Sequence, residues 1–328
     1  MSSTSSAFSA QGTAERNQGL PLDLALVDHL RINRTAVERR AGTLMTRRSV
    51  KKDWQAAWLL KAITLIDLTT LSGDDSEDRV ARLCRKARHP VSPQILADFN
   101  MPPARIHTGA VCVYHEMIPA AVAALEGSGI PVAAVSTGFP AGLSPFKLRV
   151  AEIEESVAAG ATEIDVVISR RHVLRGDWQA LYDEVQQFRE ACGEAHLKVI
   201  LATGQLGSLT QIAKASMVAM MAGADFIKTS TGMEPVNATL PVSLVMVRMI
   251  RDYVRLSGYR VGFKPAGGIN TAKQALSFMV LMREELGRDW LEPELFRLGA
   301  SRLLTDIERQ LSHQASGAYA ARHHQAIG

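Results

Sequence analysis

The sequence predicts an α/β fold: a (β/α)8 TIM barrel preceded by a helical and partly disordered N-terminal extension. Eight short apolar, β-branched runs alternate with helix-like segments, and hairpin signals are mostly missing. The later runs start about 28 to 35 residues apart, which suits a parallel strand and its return helix. Eight strands is also the number that closes a barrel. An open doubly wound sheet is the alternative, but LTTLSGDD after the first run is no GxGxxG motif.

The predicted strands are residues 63–70 (ITLIDLTT), 108–114 (TGAVCVY), 131–137 (PVAAVST), 162–169 (TEIDVVIS), 197–203 (LKVILAT), 225–231 (DFIKTST), 260–266 (RVGFKPA) and 295–300 (LFRLGA). Amphipathic stretches such as LRVAEIEESVAAG and TQIAKASMVAMMAG separate them. These two stretches end on Gly160 and Gly223, as a helix C-cap does. The likeness of VAAGATEIDVV to AMMAGADFIKT indicates a repeated βα unit.

Amino-acid composition indicates how the chain is divided into domains and which classes of partner are expected. A chain of 328 residues that is 47% hydrophobic can bury one large core or two modest ones. We divide it into a basic, partly disordered extension (1–50), a barrel (51–312) and a flexible tail (313–328). The segment from Arg31 to Lys52 contains eight basic residues and a single acidic residue, Glu38. We interpret this segment as a solvated helix or loop, so nucleic acid is not an expected partner.

Cysteine and histidine spacing argue against a metal site. The three cysteines are widely separated, no CxxC pair exists, and the nine histidines form no HExxH motif. No run of about 18 apolar residues predicts a membrane span, and residues 1–20 lack the apolar core of a signal peptide. We therefore expect a cytoplasmic chain without metal or cofactor, with a disordered start.

A lysine stands inside the sixth predicted strand, where a charge is costly. Side chains alternate between the two faces of a strand. If Lys228 points into the barrel, Phe226 and Ser230 share its side, while Ile227 and Thr229 meet the outer helices.

Other charged residues occupy neighbouring strands. Lys264 follows Lys228 by 36 residues, one βα repeat, so the two strands should be adjacent at about 4.8 Å. By the same alternation Asp165 faces inward. Lys198 and Asp67 add two further ionisable groups to the same interior.

The two lysines predict a nucleophilic amine. Two ammonium groups about 6 Å apart, at an effective dielectric of about 20, repel by roughly 2.8 kcal/mol, or about two pKa units. Desolvation acts in the same direction. Lys228 would then be a free amine near neutral pH, able to form a Schiff base, with Lys264 lowering its pKa. A structural ion-pair network including Asp165 is the alternative, disfavoured because neighbouring lysines repel.

Taken together, DFIKTSTG, GFKPAGG, EIDVV, LIDLTTL and the closing RLGAS resemble the deoxyribose-phosphate aldolase family, from about residue 45 to about residue 315. RRSVKKDWQAAWLLKAITLIDLTTLSGDD is similar to its longer branch, which includes the animal enzymes. The resemblance implies a metal-free class I aldolase on a TIM barrel. Such an enzyme reversibly cleaves 2-deoxy-D-ribose 5-phosphate to acetaldehyde and D-glyceraldehyde 3-phosphate, and a homodimer is expected.

The resemblance also implies residue roles. Lys228 would be the Schiff-base lysine, Lys264 would perturb its pKa, and Asp165 would transfer protons through a water. Polar residues expected to order the site around the imine are Asp67, Thr69 and Lys198. Cys112 is either a buried thiol or a substrate contact, and Tyr319 either covers the site or belongs to a disordered tail.

The phosphate end is expected at the loops after the last strands, where barrel enzymes bind phosphate through backbone N–H groups. The residues expected to contact this end are Gly267, Gly268, Gly299, Ser301 and Arg302, and Thr231 and Gly232 are expected to bind substrate beside them. The sequence departs from the family here: Met233 and Asn270 replace the usual lysine and arginine, and Arg302 replaces a small hydroxyl residue. These changes predict weaker discrimination for the phosphate.

Two alternative functions remain open at this stage. Another Schiff-base barrel enzyme, such as a transaldolase or a fructose-bisphosphate-type aldolase, would share a strand lysine. A non-catalytic barrel could bind RNA or protein through its basic segment.

Overall fold

Eight parallel strands surround one interior. The protein, described as a computed structural model over residues 16–47, 50–51 and 53–318, has the strand order β7-β6-β5-β4-β3-β2-β1-β8. Parallel bridges from Phe263 to Phe296 and from Ala266 to Gly299 join the two ends of this order. The predicted barrel is confirmed, and the open doubly wound sheet is excluded.

The strands are β1 (Ile66–Thr69), β2 (Ala110–Tyr114), β3 (Val132–Ser136), β4 (Glu163–Val167), β5 (His196–Ile200), β6 (Phe226–Lys228), β7 (Gly262–Lys264) and β8 (Leu298–Ala300). The helices are α1 (Leu24–His29), α2 (Arg34–Arg47), α3 (Asp53–Thr64), α4 (Glu77–Arg88), α5 (Pro93–Asp98), α6 (Ile118–Leu125), α7 (Phe146–Ala158), α8 (Arg170–Arg175), α9 (Trp178–Cys192), α10 (Leu209–Met221), α11 (Leu240–Ser257), α12 (Ala272–Glu285) and α13 (Leu303–Ser316).

Every observed strand overlaps its predicted segment, but some boundaries differ. Residues Ile63 and Thr64, predicted to open the first strand, instead end α3. The apolar run continues from the helix into the strand there, so its composition hides the boundary. Strands β6 and β7 have three residues each because the chain after them turns into loops at the open end of the barrel.

The side-chain alternation predicted for β6 is confirmed. Ile227 packs into the core between the barrel and the helices, whereas Phe226 is buried outside that core cluster. The Lys198 ammonium lies 5.9 Å from the centroid of the Phe226 ring. Gly262 of the next strand leaves room for that ring, since a Cβ atom there would lie 2.4 Å from it. The barrel interior therefore holds both charged and aromatic groups.

The chain before α1 is part of the packed fold. Asn17 is buried and donates to the carbonyls of Met220 and Ala224, each at 2.8 Å. Its backbone N–H donates to Asp225 at 3.0 Å, and the Tyr253 hydroxyl donates to its side-chain oxygen at 2.9 Å. The expected disorder of residues 1–20 is therefore wrong for residues 16–20, because these hydrogen bonds fix them in place.

Part of the basic segment is neutralised within the fold. Arg34 pairs with Glu38 at 2.7 Å, and Arg40 contacts Glu284 and Glu285 at the end of α12 at 2.8 and 3.4 Å. The charge of Arg40 therefore attaches α2 to the barrel.

Residues 1–15 and Tyr319 lie outside the described residues. Within the described ranges, none of the helices combines the length and apolar character needed to cross a bilayer. Helix α13 ends at Ser316. The division of the chain at residues 50 and 312 stays a prediction.

Candidate active site

Seven ionisable side chains, all at most 5% exposed, meet inside the barrel. We call them the buried charge network: Asp67, Glu163, Asp165, Lys198, Lys228, Lys264 and Arg297. They come from five strands and from the residue that precedes β8. Four carry basic groups and three carry carboxylates, so the network has one excess positive charge if every member is ionised.

At the centre of the network, one oxygen binds two lysines. Oδ2 of Asp165 accepts hydrogen bonds from Nζ of Lys228 and from Nζ of Lys264, each at 2.7 Å. Lys264 also contacts the carboxylate of Asp67. The structure thus contains the ion-pair network that the sequence disfavoured. The two amines tolerate each other because carboxylates lie between them.

Glu163 and Arg297 were missed by the sequence analysis. Arg297 donates to Asp67 at 2.6 Å and to Glu163 at 2.7 Å. Glu163 also contacts Lys198, which lies 3.3 Å from Asp165. Strand alternation could have found both residues, because Glu163 is two positions before Asp165 and Arg297 is two positions before Gly299.

Lys228 differs electrostatically from its neighbours. Burial lowers the pKa of its amine; Asp165 opposes this, and the Lys264 ammonium lowers the pKa further. The predicted direction is confirmed, but repulsion by Lys264, the main cause predicted from the sequence, is the smaller one. Burial is the larger cause, because the amine has exchanged water for the barrel interior.

The pKa values of the two remaining lysines of the network are raised. Burial opposes the charge of Lys264, but Asp165 and Asp67 hold its pKa above the usual value. Carboxylates raise the pKa of Lys198 in the same manner, against burial. Among the three lysines, Lys228 alone has a lowered pKa and therefore the amine most available as a nucleophile.

A cavity of about 360 Å³ opens above the two central lysines, at the carboxyl ends of the strands. Its lining includes eight of the predicted site residues: Thr69, Thr231, Gly232, Gly268, Gly299, Ser301, Lys228 and Lys264. Asp67, Asp165 and Lys198 are buried members of the network. In the described part of the chain, no group of three His, Cys, Asp or Glu side chains is arranged to hold a metal ion.

The loop after β6 is held by an acid that the sequence analysis overlooked. Buried Glu234 accepts hydrogen bonds from the N–H groups of Thr231 and Gly232, at 3.0 and 3.2 Å, and from the Thr231 hydroxyl at 2.7 Å. The backbone N–H groups of these two predicted contacts therefore already have an anionic partner. Glu234 stands three residues after Thr231, and only the loop conformation reveals this pairing.

Two predicted phosphate contacts lie apart from the cavity lining. Gly267 has φ +80°, and a Cβ atom there would lie 2.6 Å from the Asn237 side chain, so the glycine serves loop packing. Arg302 is exposed and directly precedes α13. Met233 and Asn270, at the two positions where the resemblance predicts cations, both line the cavity.

Cys112 belongs to a small apolar cluster. It packs with Ala133 and Val135, and burial raises the pKa of its thiol. The buried-thiol interpretation fits this environment, and a substrate contact by Cys112 stays a prediction.

Comparisons with known proteins agree with this geometry. Residues 61–290 match the model of the DeoC/LacD family aldolase. Deoxyribose-phosphate aldolase from Mus musculus is 60% identical over 308 residues, covering 93% of this chain and 97% of the relative. The enzyme of that name from Homo sapiens is 59% identical over 309 residues, covering 94% and 97%.

Solved structures share the fold. A tetrameric deoxyribose phosphate aldolase from Aeropyrum pernix superposes with a TM-score of 0.58 at 21% identity, covering 85% of this chain and 99% of its own. A protein from Coccidioides immitis gives a TM-score of 0.63 at 22% identity, covering 85% and 98%. At these identities the likeness concerns the fold alone.

Replacing Asp67 by Asn tests the network. Burial opposes ionisation, but Lys264, Lys198 and Arg297 hold the pKa of Asp67 below its usual range. We expect the free energy of unfolding at pH 7 to fall by about 3–5 kcal/mol, because cations lose a buried partner. A carboxyl with a depressed folded-state pKa stabilises above its unfolded pKa. The difference between the parent protein and the variant should therefore shrink below about pH 4.

Denaturant unfolding at pH 7 and at lower pH measures this effect. Asp74→Asn is the matched control, since Asp74 pairs with Arg79 on the surface and its loss should change stability little. Equal losses in the two variants would contradict the assigned role of Asp67.

Proposed function

The chain belongs to the DeoC/LacD family of aldolases, and from this we propose that it is a deoxyribose-phosphate aldolase whose Schiff-base residue is Lys228. It reversibly cleaves 2-deoxy-D-ribose 5-phosphate to acetaldehyde and D-glyceraldehyde 3-phosphate, a reaction of deoxyribonucleoside catabolism. The observation that carries the role of Lys228 is its buried, cavity-lining amine with a lowered pKa. The identity to relatives with this name disfavours the transaldolase, fructose-bisphosphate-type and non-catalytic alternatives.

Catalysis begins at the Lys228 amine. Its lone pair attacks the C1 aldehyde of the open-chain sugar, and loss of water gives a protonated imine. Lys264 remains charged beside it because Asp67 and Asp165 stabilise the ammonium. The fixed ammonium disfavours protonation of the free amine between turnovers.

The imine then accepts electrons. The C2–C3 bond breaks, its electron pair forms an enamine with C2, and the C3 hydroxyl loses a proton as C3 becomes the aldehyde of D-glyceraldehyde 3-phosphate. Protonation of the enamine at C2 regenerates an imine, and water hydrolyses it to acetaldehyde and the free amine. Asp165 contacts both lysines, so we assign the proton transfers to Asp165 acting through a water. Thr69 lines the cavity, Asp67 holds Lys264 in place, and Lys198 holds Asp165 in place.

Backbone N–H groups after β7 and β8 support a phosphate site. Those of Gly268, Ile269 and Ser301 donate to no acceptor in the described part of the chain, and all three residues line the cavity. Gly299 leaves space in the cavity next to β8, since a Cβ atom at this position would lie 2.8 Å from the Ala266 side chain. We assign the phosphate to these groups and to Arg302, which directly follows the lining residue Ser301 and stands in for the two cations that the family resemblance predicts.

We also propose that the protein is a cytoplasmic homodimer. All three cysteines are buried and unpaired, as is common in a reducing compartment. Dimer formation is the expectation for this family, although the relative from Aeropyrum pernix is a tetramer. Sedimentation at micromolar concentration and cell fractionation test the two points, and a monomer or a secreted protein would contradict them.

Borohydride trapping tests the nucleophile. Reduction in the presence of acetaldehyde should add an ethyl group to Lys228, read by peptide mass mapping. Lys228→Met should show no such adduct and should lose at least about 10³-fold in kcat/KM. Lys86→Met is the control, because Lys86 pairs with Glu308 outside the barrel interior. An adduct mapped to another lysine would overturn the assignment.

Steady-state kinetics test the phosphate contact. Arg302→Ala should lower kcat/KM for 2-deoxy-D-ribose 5-phosphate about five- to tenfold, as one solvent-exposed ionic contact does, and leave free deoxyribose unchanged. Met233→Lys and Asn270→Arg should raise the preference for the phosphate. Arg309→Ala, exposed farther along α13, is the matched control. A preference as strong as in relatives carrying both cations, and unchanged in Arg302→Ala, would contradict the proposal.

A further inference from the structure

Arg297 lies beneath the central lysines and touches none of the groups assigned to bond making. Its guanidinium contacts Asp67 at 2.6 Å and Glu163 at 2.7 Å, and its Nε atom donates to the carbonyl of Pro293. The chain leaves space for it at Gly109, where a Cβ atom would lie 3.2 Å from Arg297 Cδ. The side chain is therefore held in one position in the barrel interior.

Two paths of direct contacts connect Arg297 to the nucleophile. One passes from Arg297 through Asp67 to Lys264. The other passes from Arg297 through Glu163 to Lys198. Both paths end at Asp165, whose carboxylate contacts Lys264, Lys198 and Lys228. A change of charge at Arg297 therefore reaches Lys228 through contacts between buried groups, where solvent screens little.

The number of charges decides which lysine is neutral. The network holds three carboxylates, and Arg297 is cationic at every ordinary pH. Only two of the three lysines can therefore be protonated if the network is to be neutral. Lys198 contacts three carboxylates, Lys264 contacts two, and Lys228 contacts one. Lys228 has the fewest partners and is the lysine that loses its proton.

We propose that Arg297 is a positioning residue whose permanent positive charge keeps Lys228 the uncharged member of the buried charge network. Without that charge, three lysines balance three carboxylates, and the neutral network is the one in which Lys228 is an ammonium. An ammonium has no lone pair for the attack on an aldehyde. This inference rests on the proposed Schiff-base role of Lys228.

Other titratable groups around the interior do not replace this charge. The groups facing it are Asp67 from β1, Cys112 and Tyr114 from β2, Glu163 and Asp165 from β4, Lys198 from β5, Lys264 from β7 and Arg297 before β8, with Arg170 at the start of α8 and Glu234 in the loop after β6. Strand β3 contributes apolar Ala133 and Val135. Burial raises the pKa of the Cys112 and Tyr114 side chains, so both stay neutral at pH 7.

The pH dependence of kcat/KM tests the inference. The rate should rise with pH as Lys228 loses its proton. In Arg297→Met that rise should move to higher pH by about one unit, as expected for a unit charge acting over about 10 Å at an effective dielectric of about 20. The variant should therefore lose about tenfold in kcat/KM at pH 7 and recover the loss at alkaline pH. Arg297→Lys should retain the parent profile.

A charge-compensating pair of substitutions distinguishes a shift in the pH profile of kcat/KM from a general loss of structure. Glu163→Gln should move the rise to lower pH, and Arg297→Met combined with Glu163→Gln should return it toward the parent position. Arg149→Met is the matched control: this buried arginine pairs with Glu184 outside the barrel interior, so its loss should lower stability without moving the profile. If Arg297→Met does not fold, the shift in Glu163→Gln carries the test.

An unmoved profile in Arg297→Met, or a double variant shifted as far as Arg297→Met, would overturn the inference. So would a shift in Glu163→Gln to higher pH. Borohydride trapping of the parent protein with acetaldehyde is the separate control for the nucleophile. An adduct on Lys228 together with an unmoved profile rejects the role of Arg297 and leaves the proposed function intact.

Discussion

One carboxylate oxygen, Oδ2 of Asp165, accepts hydrogen bonds from two lysines, and the chemistry of the site depends on that contact. Two buried ammonium groups with no anion between them would be strongly unfavourable. With Asp165 between them, Lys264 can remain charged while Lys228 gives up its proton. The barrel makes the contact possible, because closure brings β4 across the interior from β6 and β7. Fold and reactivity are therefore two results of the same set of strand pairings.

Local sequence patterns predict the strands and the central residues of the site. Apolar runs at regular spacing indicated eight strands, and the alternation of side chains placed Lys228, Lys264 and Asp165 in one interior before any contact was known. The same alternation points Glu163 and Arg297 inward, but each stands in a largely apolar run whose composition hides the charge. Boundaries were less predictable, since the apolar composition of α3 continues into β1.

Properties that depend on three-dimensional distance could not be read from the chain. Strand alternation does not show that Asp67 and Asp165 lie between cations, so the sequence favours repulsion between the two central lysines over an ion-pair network. Burial then proved the larger cause of the lowered pKa of Lys228. The capture of the Thr231 and Gly232 N–H groups by Glu234 follows from a loop conformation, and no periodic pattern encodes it.

The hydrogen bonds of Asn17 connect the N-terminal part of the chain to the strand that carries Lys228. Asp225, which receives the Asn17 N–H, is the residue immediately before β6, the strand that carries Lys228. Removing the first helices to obtain a smaller catalyst would withdraw a support three residues from the reactive amine and uncover the Tyr253 hydroxyl. Shortened or fused versions of this enzyme should therefore keep the chain from Arg16 onward, since the residues before α1 support the strand that carries Lys228.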